Sequence, residues 1–363
     1  MRRPTRNFFV GNVGVGSCHP VTVQSMTTVP VTDVEGNIRQ INALYEAGCD
    51  IIRLAFDRAE YAPYLEKIVK SSPIPVIADI QFDAASAIGA IRGKAAAVRL
   101  NPGLISDKKV LAEISRAVLD NNVAVRVGAN SGSIGSLEVK QRIAAGETPF
   151  DAMCNALVYG AKQQCDMLEE CGVRNIKVAL KSSDVGITCA AVRRFAEMTD
   201  YPLHLGVTEA GTKFKGGIKS AVGIGSLLLD GIGDTIRVSL TAPPTEEVPA
   251  AIAILEAAGV REAMPEIVSC PGCGRTEIEL EKLVSEVESL IAKLKRDNVV
   301  IPHRKIAVMG CPVNGPGEAK NADLGIAGSK GGESLIVFKY GKVLGAYSSA
   351  EGMKIFQQEL LKK

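Results

Sequence analysis

Short runs of apolar, mostly β-branched residues alternate with longer amphipathic segments from residue 20 to about residue 258. The short runs have the length of buried strands, and the longer segments keep one apolar face at helical spacing. Eight β–α units in about 240 residues predict a closed (β/α)₈ barrel rather than an open doubly wound sheet. The predicted strands are 21–26, 51–56, 76–80, 97–100, 123–127, 176–180, 203–207 and 235–240.

The segments between these runs predict helices, including 34–47, 108–119 and 185–198. In residues 108–119 one face stays apolar at helical spacing, and Ser106 or Asp107 is placed to cap the first turn. The connection between the fifth and sixth strands, residues 130–175, is the longest and predicts an extra helix.

The alternation ends near Gly259, which predicts a domain boundary. We therefore expect a barrel domain at residues 1–262 and a small α/β domain at residues 263–363. The smaller domain is predicted to hold a helix, two short strands, a hairpin that turns at Gly341 and a last amphipathic helix. The predicted segments are 276–293, 306–309, 324–326, 335–340 and 343–347, followed by the terminal helix.

Composition narrows the class of protein. Apolar residues make up 46% and charged residues 23% of the 363 residues, as in ordinary globular proteins, and the net charge is only +2. A charge this small predicts no general affinity for nucleic acid or membrane surfaces. Nine cysteines, an odd number spread along a long chain, indicate a reducing cytoplasm rather than a disulfide framework. Neither a secretory leader nor an apolar run long enough to span a membrane is evident.

Two cysteine segments near the C-terminus carry candidate metal chemistry. Cys270 and Cys273 flank a Pro-Gly turn, and Cys311 opens a second Pro- and Gly-rich loop 38 residues after Cys273. Three soft thiolates of this kind select zinc or an iron–sulfur cluster. Glu318 is the nearest candidate for a fourth ligand to a cluster, and a weak oxygen ligand of this kind would be catalytic because it lets one iron open to substrate. His303 would instead complete a structural zinc site. Spacing alone leaves both interpretations open.

Charged and amide side chains recur at the predicted ends of the barrel strands, where this fold places catalytic groups. Three of them, Arg53, Arg99 and Arg126, lie inside otherwise apolar runs and therefore need partners. Several cations at one barrel mouth predict a multiply charged anion, most simply a diphosphate. A Gly- and Lys-rich loop at residues 211–217 would add amides near the usual phosphate position. Further candidates at these ends are Asn130, Lys177, Lys181, Ser182, His204, Lys215 and Arg237.

Glu209 follows the seventh predicted strand among these cations. A carboxyl group in that place is a candidate proton donor or acceptor, or equally a salt-bridge partner for a neighbouring lysine. His204 is expected either to orient the substrate or to have a purely structural role.

Six segments together carry a family resemblance. They are VQSMTT at 23–28, VRVGAN at 125–130, GVTEAG at 206–211, GIGDTIR at 231–237, CPGCGRT at 270–276 and CPVNGPGE at 311–318. Over nearly its whole length the chain resembles the bacterial 4-hydroxy-3-methylbut-2-enyl diphosphate synthase family, also called GcpE.

The resemblance implies a [4Fe–4S] cluster held by Cys270, Cys273, Cys311 and Glu318, so that the small α/β domain is an iron–sulfur cluster domain. It implies reductive ring opening of 2-C-methyl-D-erythritol 2,4-cyclodiphosphate in the non-mevalonate isoprenoid pathway, with electrons from ferredoxin or flavodoxin. It also implies a homodimer in which the cluster domain of one chain closes the barrel of the other. At the substrate it implies Glu209 as acid/base and Arg53, Arg99, Arg126, Asn130 and Lys215 as diphosphate contacts. The full set of predicted substrate contacts adds Lys181, Ser182, His204, Arg237 and Arg275.

One position departs from the family pattern. Gln81 stands where the family commonly has histidine, so no acid/base role belongs to it. Two rival functions remain open from the sequence. One is a sugar-phosphate aldolase or isomerase with a structural zinc module, and the other is an iron–sulfur electron carrier. A charged barrel mouth argues against a simple carrier, since a carrier needs no anion site.

Overall fold

The computed structural model describes residues 1–80, 83–101, 107–132, 136–262, 265–297 and 299–362, without the side chains of Ser136, Lys295, Arg296 and Glu318. The chain divides into two compact units, Met1–Arg261 and Glu262–Lys363. Each has its own hydrophobic core. No described helix is long and apolar enough to cross a membrane.

The first unit is built on an eight-stranded parallel sheet in the order β8-β7-β6-β5-β4-β3-β10-β9. A single bridge between Val178 and Leu203 joins its two ends, so the sheet forms a nearly closed barrel. The predicted (β/α)₈ barrel is confirmed. Its strands are β3 (Thr22–Met26), β4 (Ile51–Ala55), β5 (Val76–Asp79), β6 (Ala97–Leu100), β7 (Ala124–Asn130), β8 (Ile176–Lys181), β9 (His204–Leu205) and β10 (Thr235–Ile236).

Helices follow the strands and cover the barrel with their apolar faces. Asp107 caps its helix as predicted, accepting hydrogen bonds from the amides of Lys109 and Val110, while Ser106 lies outside the described residues. The long connection after β7 holds two helices. The helices of this unit are α1 (Val34–Glu46), α2 (Ala62–Ser71), α3 (Ala84–Arg92), α4 (Lys108–Asp120), α5 (Ser136–Ala144), α6 (Pro149–Glu170), α7 (Val185–Met198), α8 (Lys213–Leu229) and α9 (Pro244–Ala257).

An antiparallel hairpin, β1 (Phe8–Val10) and β2 (Val13–Val15), precedes the barrel and was not predicted. Phe8, Val10 and Val15 pack on apolar residues at the amino-terminal ends of four barrel strands. The hairpin therefore closes the end of the barrel opposite to the strand ends that carry charge.

The second unit is a five-stranded sheet in the order β11-β12-β13-β14-β15, in which β11, β12 and β13 are parallel and the last two strands antiparallel. Helices α10 and α11 contribute apolar residues to its core. The predicted helices, strands and hairpin are present, and β11 is an addition. The elements are β11 (Glu266–Ser269), α10 (Leu280–Arg296), β12 (Lys305–Met309), a π-helical turn (Val313–Glu318), β13 (Leu324–Gly328), β14 (Ser334–Lys339), β15 (Lys342–Ser348) and α11 (Ser349–Leu360).

Candidate active site

A cavity of about 330 Å³ opens at the carboxyl ends of the barrel strands. Parallel strands bring their carboxyl ends to one side, and this is where barrel enzymes place their chemistry. Seven of the predicted site residues meet here, namely Arg53, Arg99, Arg126, Asn130, Lys181, Glu209 and Arg237. The other lining residues are Asp79, Gly128, Ala129, Val207, Thr208 and Ser239.

The Arg99 guanidinium is fixed by two acceptors. Its Nη1 lies 3.2 Å from Asp79 Oδ1, and its Nη2 donates to the carbonyl oxygen of Gly128 at 2.9 Å. A Cβ on Gly128 would come within 2.7 Å of Arg99 Nε. Glycine on the next strand therefore leaves the space that the guanidinium occupies. Gly206 does the same for Lys181, because a Cβ there would collide with the lysine Nζ.

Asp79 is the carboxylate shared by the cations of the pocket. Its Oδ2 lies 3.8 Å from Arg53 Nε, in addition to the contact with Arg99. Burial opposes ionisation of this carboxyl group, but Arg53, Arg99 and Arg126 outweigh burial and lower the pKa of Asp79. The carboxylate therefore stays charged and holds two guanidinium groups at the pocket wall.

Positive charge exceeds what the carboxylates of the pocket can balance. Burial, followed by repulsion from Arg53 and Arg99, holds the pKa of Arg126 well below its ordinary value. Its Nε and Nη1 atoms are buried and have no hydrogen-bond partner within the described part of the chain. Burial also lowers the pKa of Lys181, with Arg126 and Arg53 as the next causes. Buried cations in such excess form a site for an anion with several acceptor oxygens.

Glu209 lines the cavity with an exposed side chain and has a left-handed backbone, with φ of 52°. A residue other than glycine rarely adopts this conformation, and such strain clusters at functional sites. Sequence reasoning found the side chain but not the strained backbone that directs it.

Four of the predicted contacts, His204, Ser182, Lys215 and Arg275, are not part of the cavity lining, and the first two of them are buried. His204 is fully buried within the barrel, and its Nδ1 is 2.7 Å from Thr235 Oγ1. Burial and the cations Arg126 and Lys181 hold its pKa well below the ordinary value, so the ring is neutral. Ser182 lies just before α7, where its Oγ accepts a hydrogen bond from the amide of Asp184, the residue that caps the helix. The structure gives both residues a place in the scaffold of the site rather than on its surface.

The predicted loop at residues 211–217 is wrong in part, because α8 begins at Lys213. Lys215 is exposed in the first turn of this helix and is not part of the cavity lining. A helix start still offers free amides and a favourable dipole to a phosphate. The sequence misled here because the three glycines in the segment suggested a loop.

The cysteine segments lie together in the second unit. Gly272, with φ of 73°, makes the turn between Cys270 and Cys273. The Gly310 amide donates to Cys270 Sγ at 3.2 Å, which ties the first segment to the residue before Cys311. The Arg275 amide lies 3.5 Å from Cys273 Sγ. Backbone donors aimed at sulfur are a feature of thiolate-bound iron–sulfur clusters. Arg275 itself is exposed in this loop.

The three cysteines are the kind of donor that either an iron–sulfur cluster or a zinc ion uses. Within the described residues, no three His, Cys, Asp or Glu side chains converge to hold one metal ion. His303 Nε2, the zinc ligand of the rival interpretation, is 2.9 Å from the Glu359 carbonyl oxygen. Glu318 ends the π-helical turn after Cys311, and its side chain lies outside the described residues.

Ser239, Gly128 and Gly206 are site residues that sequence reasoning missed. Ser239 follows Arg237 at a spacing of two, which is the signal for the same face of a strand. The glycines gave no such signal, because their role depends on the neighbouring strand. Gln81, the predicted departure, lies outside the described residues.

Comparison with known families assigns both units. Residues 5–252 match the GcpE TIM-barrel domain, and residues 266–362 match the GcpE protein C-terminal domain. A relative from Lawsonia intracellularis, named 4-hydroxy-3-methylbut-2-en-1-yl diphosphate synthase (flavodoxin), is 43% identical over 100% of this chain and 97% of its own length. Relatives of the same name from Sulfurihydrogenibium and Corynebacterium glutamicum are 44% and 46% identical, over 99% and 93% of this chain and 98% and 86% of their own lengths.

Among solved structures, N-acetylneuraminic acid synthetase from Leptospira borgpetersenii aligns at 11% identity and a TM-score of 0.49, covering 80% of this chain and 98% of its own. Dihydropteroate synthase from Yersinia pestis aligns at 10% identity and a TM-score of 0.48, covering 70% of this chain and 97% of its own. At these values the likenesses support no functional conclusion.

Proposed function

The chain belongs to the GcpE family, and on this premise we propose that it is the oxidoreductase that makes 4-hydroxy-3-methylbut-2-en-1-yl diphosphate. The substrate is 2-C-methyl-D-erythritol 2,4-cyclodiphosphate, an intermediate of the non-mevalonate pathway. The reaction takes up two electrons and one proton, breaks the bond between a ring carbon and a phosphate oxygen, and releases one hydroxyl as water.

The observation that carries this proposal is the charge of the barrel pocket. Four arginines line one cavity, and Asp79 is the one buried carboxylate among its described lining residues. A cyclic diphosphate carries two negative charges and several acceptor oxygens, and guanidinium groups bind such oxygens in pairs. We assign Arg53, Arg99, Arg126 and Arg237 to the phosphates, with Lys181 and Asn130 beside them.

Donors preorganised at the phosphates serve the chemical step as well as binding. The phosphate oxygen that leaves carbon gains negative charge, and fixed cations in a water-poor pocket stabilise that charge. Glu209 stands at the exposed side of the pocket, and we assign to it the proton transfer to the departing hydroxyl. Lys215 and Arg275 are assigned to the substrate as peripheral contacts, and His204 and Ser182 as supports.

A [4Fe–4S] cluster held by Cys270, Cys273, Cys311 and Glu318 would supply single-electron transfer and a Lewis-acidic iron. The described cysteines suit this cofactor, since backbone amides already point at two of the three sulfurs. The barrel, residues 1–262, is the substrate-binding domain in this proposal, and residues 263–363 are the cluster domain.

Flavodoxin, named in the relatives' titles, is the proposed electron donor, with ferredoxin as the alternative. We further propose a cytoplasmic homodimer in which one chain's cluster domain serves the other chain's barrel. An obligate pair of this kind predicts that a barrel-site variant and a cluster-site variant, each inactive alone, regain activity when mixed.

Turnover by anaerobically purified protein tests the function. The protein is supplied with the cyclodiphosphate and reduced flavodoxin, and products are followed by mass spectrometry while iron, sulfide and zinc are counted. We expect a brown protein with about four irons per chain that forms the linear diphosphate only with reductant. A colourless protein with about one zinc, active on a sugar phosphate without reductant, would establish the aldolase or isomerase alternative instead.

A further inference from the structure

A buried glutamate behind the pocket wall has no role in the function proposed above. Glu247 lies in the first turns of α9, is 4% exposed, and is not part of the cavity lining. A carboxylate buried this deeply requires strong partners, because removal from water opposes its charge.

Both carboxylate oxygens of Glu247 form polar contacts with residues at the barrel mouth. Oε2 lies 3.4 Å from Arg237 Nη2 and accepts from Ser25 Oγ at 3.2 Å. Oε1 accepts from the Leu240 amide at 3.0 Å. Leu240 follows Ser239, which lines the pocket, so one carboxylate contacts both the Arg237 side chain and the backbone beside Ser239.

Apart from Glu247, few described groups hold the Arg237 side chain in position. Its Nη1 is 3.6 Å from Met26 Sδ, and the same sulfur receives Arg53 Nη2 at 3.1 Å. Two guanidinium groups therefore share a weak acceptor and repel each other across it. Burial, followed by repulsion from Arg53, outweighs the attraction of Glu247 and lowers the pKa of Arg237 to about 10. Among the described carboxylates, Glu247 is the ion-pair partner of Arg237.

We propose that Glu247 is a positioning residue for substrate, which holds the Arg237 guanidinium at the pocket wall so that its free edge meets a phosphate. This inference rests on the proposed function, since it concerns the same pocket. Glu247 does not touch the substrate and acts through Arg237. Its loss therefore weakens the binding of phosphate groups more than it slows the chemical step.

The competing interpretation is that Glu247 only stabilises the start of α9. Acidic residues in a first helical turn interact favourably with the helix dipole, whatever they touch. Glu246 provides the matched control. It lies in the same first turn and pairs with the exposed Lys213 instead of with a pocket residue.

The experiment compares Glu247→Gln with Glu246→Gln in the cluster-loaded protein. Binding of the cyclodiphosphate and of inorganic pyrophosphate is measured by calorimetry, turnover is measured with reduced flavodoxin, and unfolding is followed by heat. We expect Glu247→Gln to raise KM and the dissociation constant about tenfold, the low end for a lost hydrogen bond to a charge, with kcat within about threefold. Glu246→Gln should match the wild type in KM and affinity.

A double variant separates positioning from folding. In an Arg237→Gln background, the change at Glu247 should cost no further affinity, because its target is gone. Equal affinity for Glu247→Gln and wild type, or the same additional loss with and without Arg237, would overturn the inference. If the wild-type protein neither binds nor converts the cyclodiphosphate, the proposed function itself fails, which is a different outcome from failure of the variant series.

Discussion

Two layers inside the barrel contrast sharply, although the same four strands build them. At the lower position, β4, β5, β6 and β7 carry the apolar residues Ile51, Ile77, Ala97 and Ala124, which pack against the N-terminal hairpin. Two residues later the same strands carry Arg53, Asp79, Arg99 and Arg126, which line the cavity. A spacing of two keeps both residues of each pair on one face of the strand, so the change in chemistry follows the barrel axis alone.

The contrast indicates a division of labour within each strand. The lower layer buries apolar surface and stabilises the fold. The upper layer places several positive charges in a buried space, and their repulsion and desolvation oppose folding. A bound anion would offset this cost. Each strand therefore supports structure at its start and binding at its end, as expected for barrels whose chemistry sits at one mouth.

The largest effect is expected at Arg126, the most deeply buried cation of the cavity lining. Arg126→Met should lower kcat/KM about 1,000-fold, because a preorganised phosphate donor is lost. The same change should leave the melting temperature equal or higher, since it removes a poorly compensated buried charge. Steady-state kinetics and calorimetry measure the two effects. A large drop in stability would contradict the division between the layers.

The complementary change in the lower layer should act on stability alone. Ile77 is fully buried against the hairpin, so Ile77→Ala should lower the free energy of unfolding by about 3 kcal/mol. We expect KM for the cyclodiphosphate to stay at the wild-type value in the folded protein. Denaturant unfolding and kinetics at low temperature test this pair of outcomes, and a raised KM would show that the layers are coupled.

A pH dependence should reveal the cost of burying Lys177, which lies on β8 in register with Arg126 of the upper layer. Burial, then Arg126 and Arg53, lower the pKa of Lys177 to about 7, and its Nζ has no hydrogen-bond partner in the described structure. Below pH 7 both folded and unfolded chains hold the proton, and the folded state bears the full desolvation cost. Between about pH 7 and pH 10 the unfolded chain holds more protons, so stability increases with pH.

Lys177→Met should therefore raise the free energy of unfolding at pH 6 by about 2 kcal/mol. The advantage over the wild type should shrink as the pH rises from about 7 toward 10. Urea unfolding at several pH values provides the measurement. A difference that does not change with pH would mean that Lys177 is neutral, or paired, throughout.

Much of this contrast was predictable from the sequence. The period of apolar runs located all eight strands, because a buried parallel strand needs a short continuous apolar segment. Arg53, Arg99 and Arg126 were conspicuous as charges inside such runs. The cysteine segments were equally evident, since a C-x-x-C pair followed by a third cysteine is a known pattern of metal ligands.

Features that depend on neighbouring strands were not predictable. The hairpin at Phe8–Val10 and Val13–Val15 is short, and its role depends on the shape of the barrel floor. Glu209 takes a left-handed backbone that no local residue preference favours. Glu247 looked like an ordinary helix-start glutamate, because its partner Arg237 lies on another element.

The smallest expected effect concerns the space that the arginines need. Gly128 faces Arg99, and a methyl group there would lie 2.7 Å from Arg99 Nε. Gly128→Ala should therefore displace this guanidinium and weaken pyrophosphate binding about tenfold, the loss expected for one misplaced charged hydrogen bond. Gly225→Ala is the control, because an added Cβ in that part of α8 meets no described atom within 4 Å. It should leave binding intact and stabilise the helix by about 0.5–1 kcal/mol. If both variants bind pyrophosphate equally well, Arg99 contacts the phosphate without needing the space beside Gly128. The glycine would then matter only for the strand in which it lies.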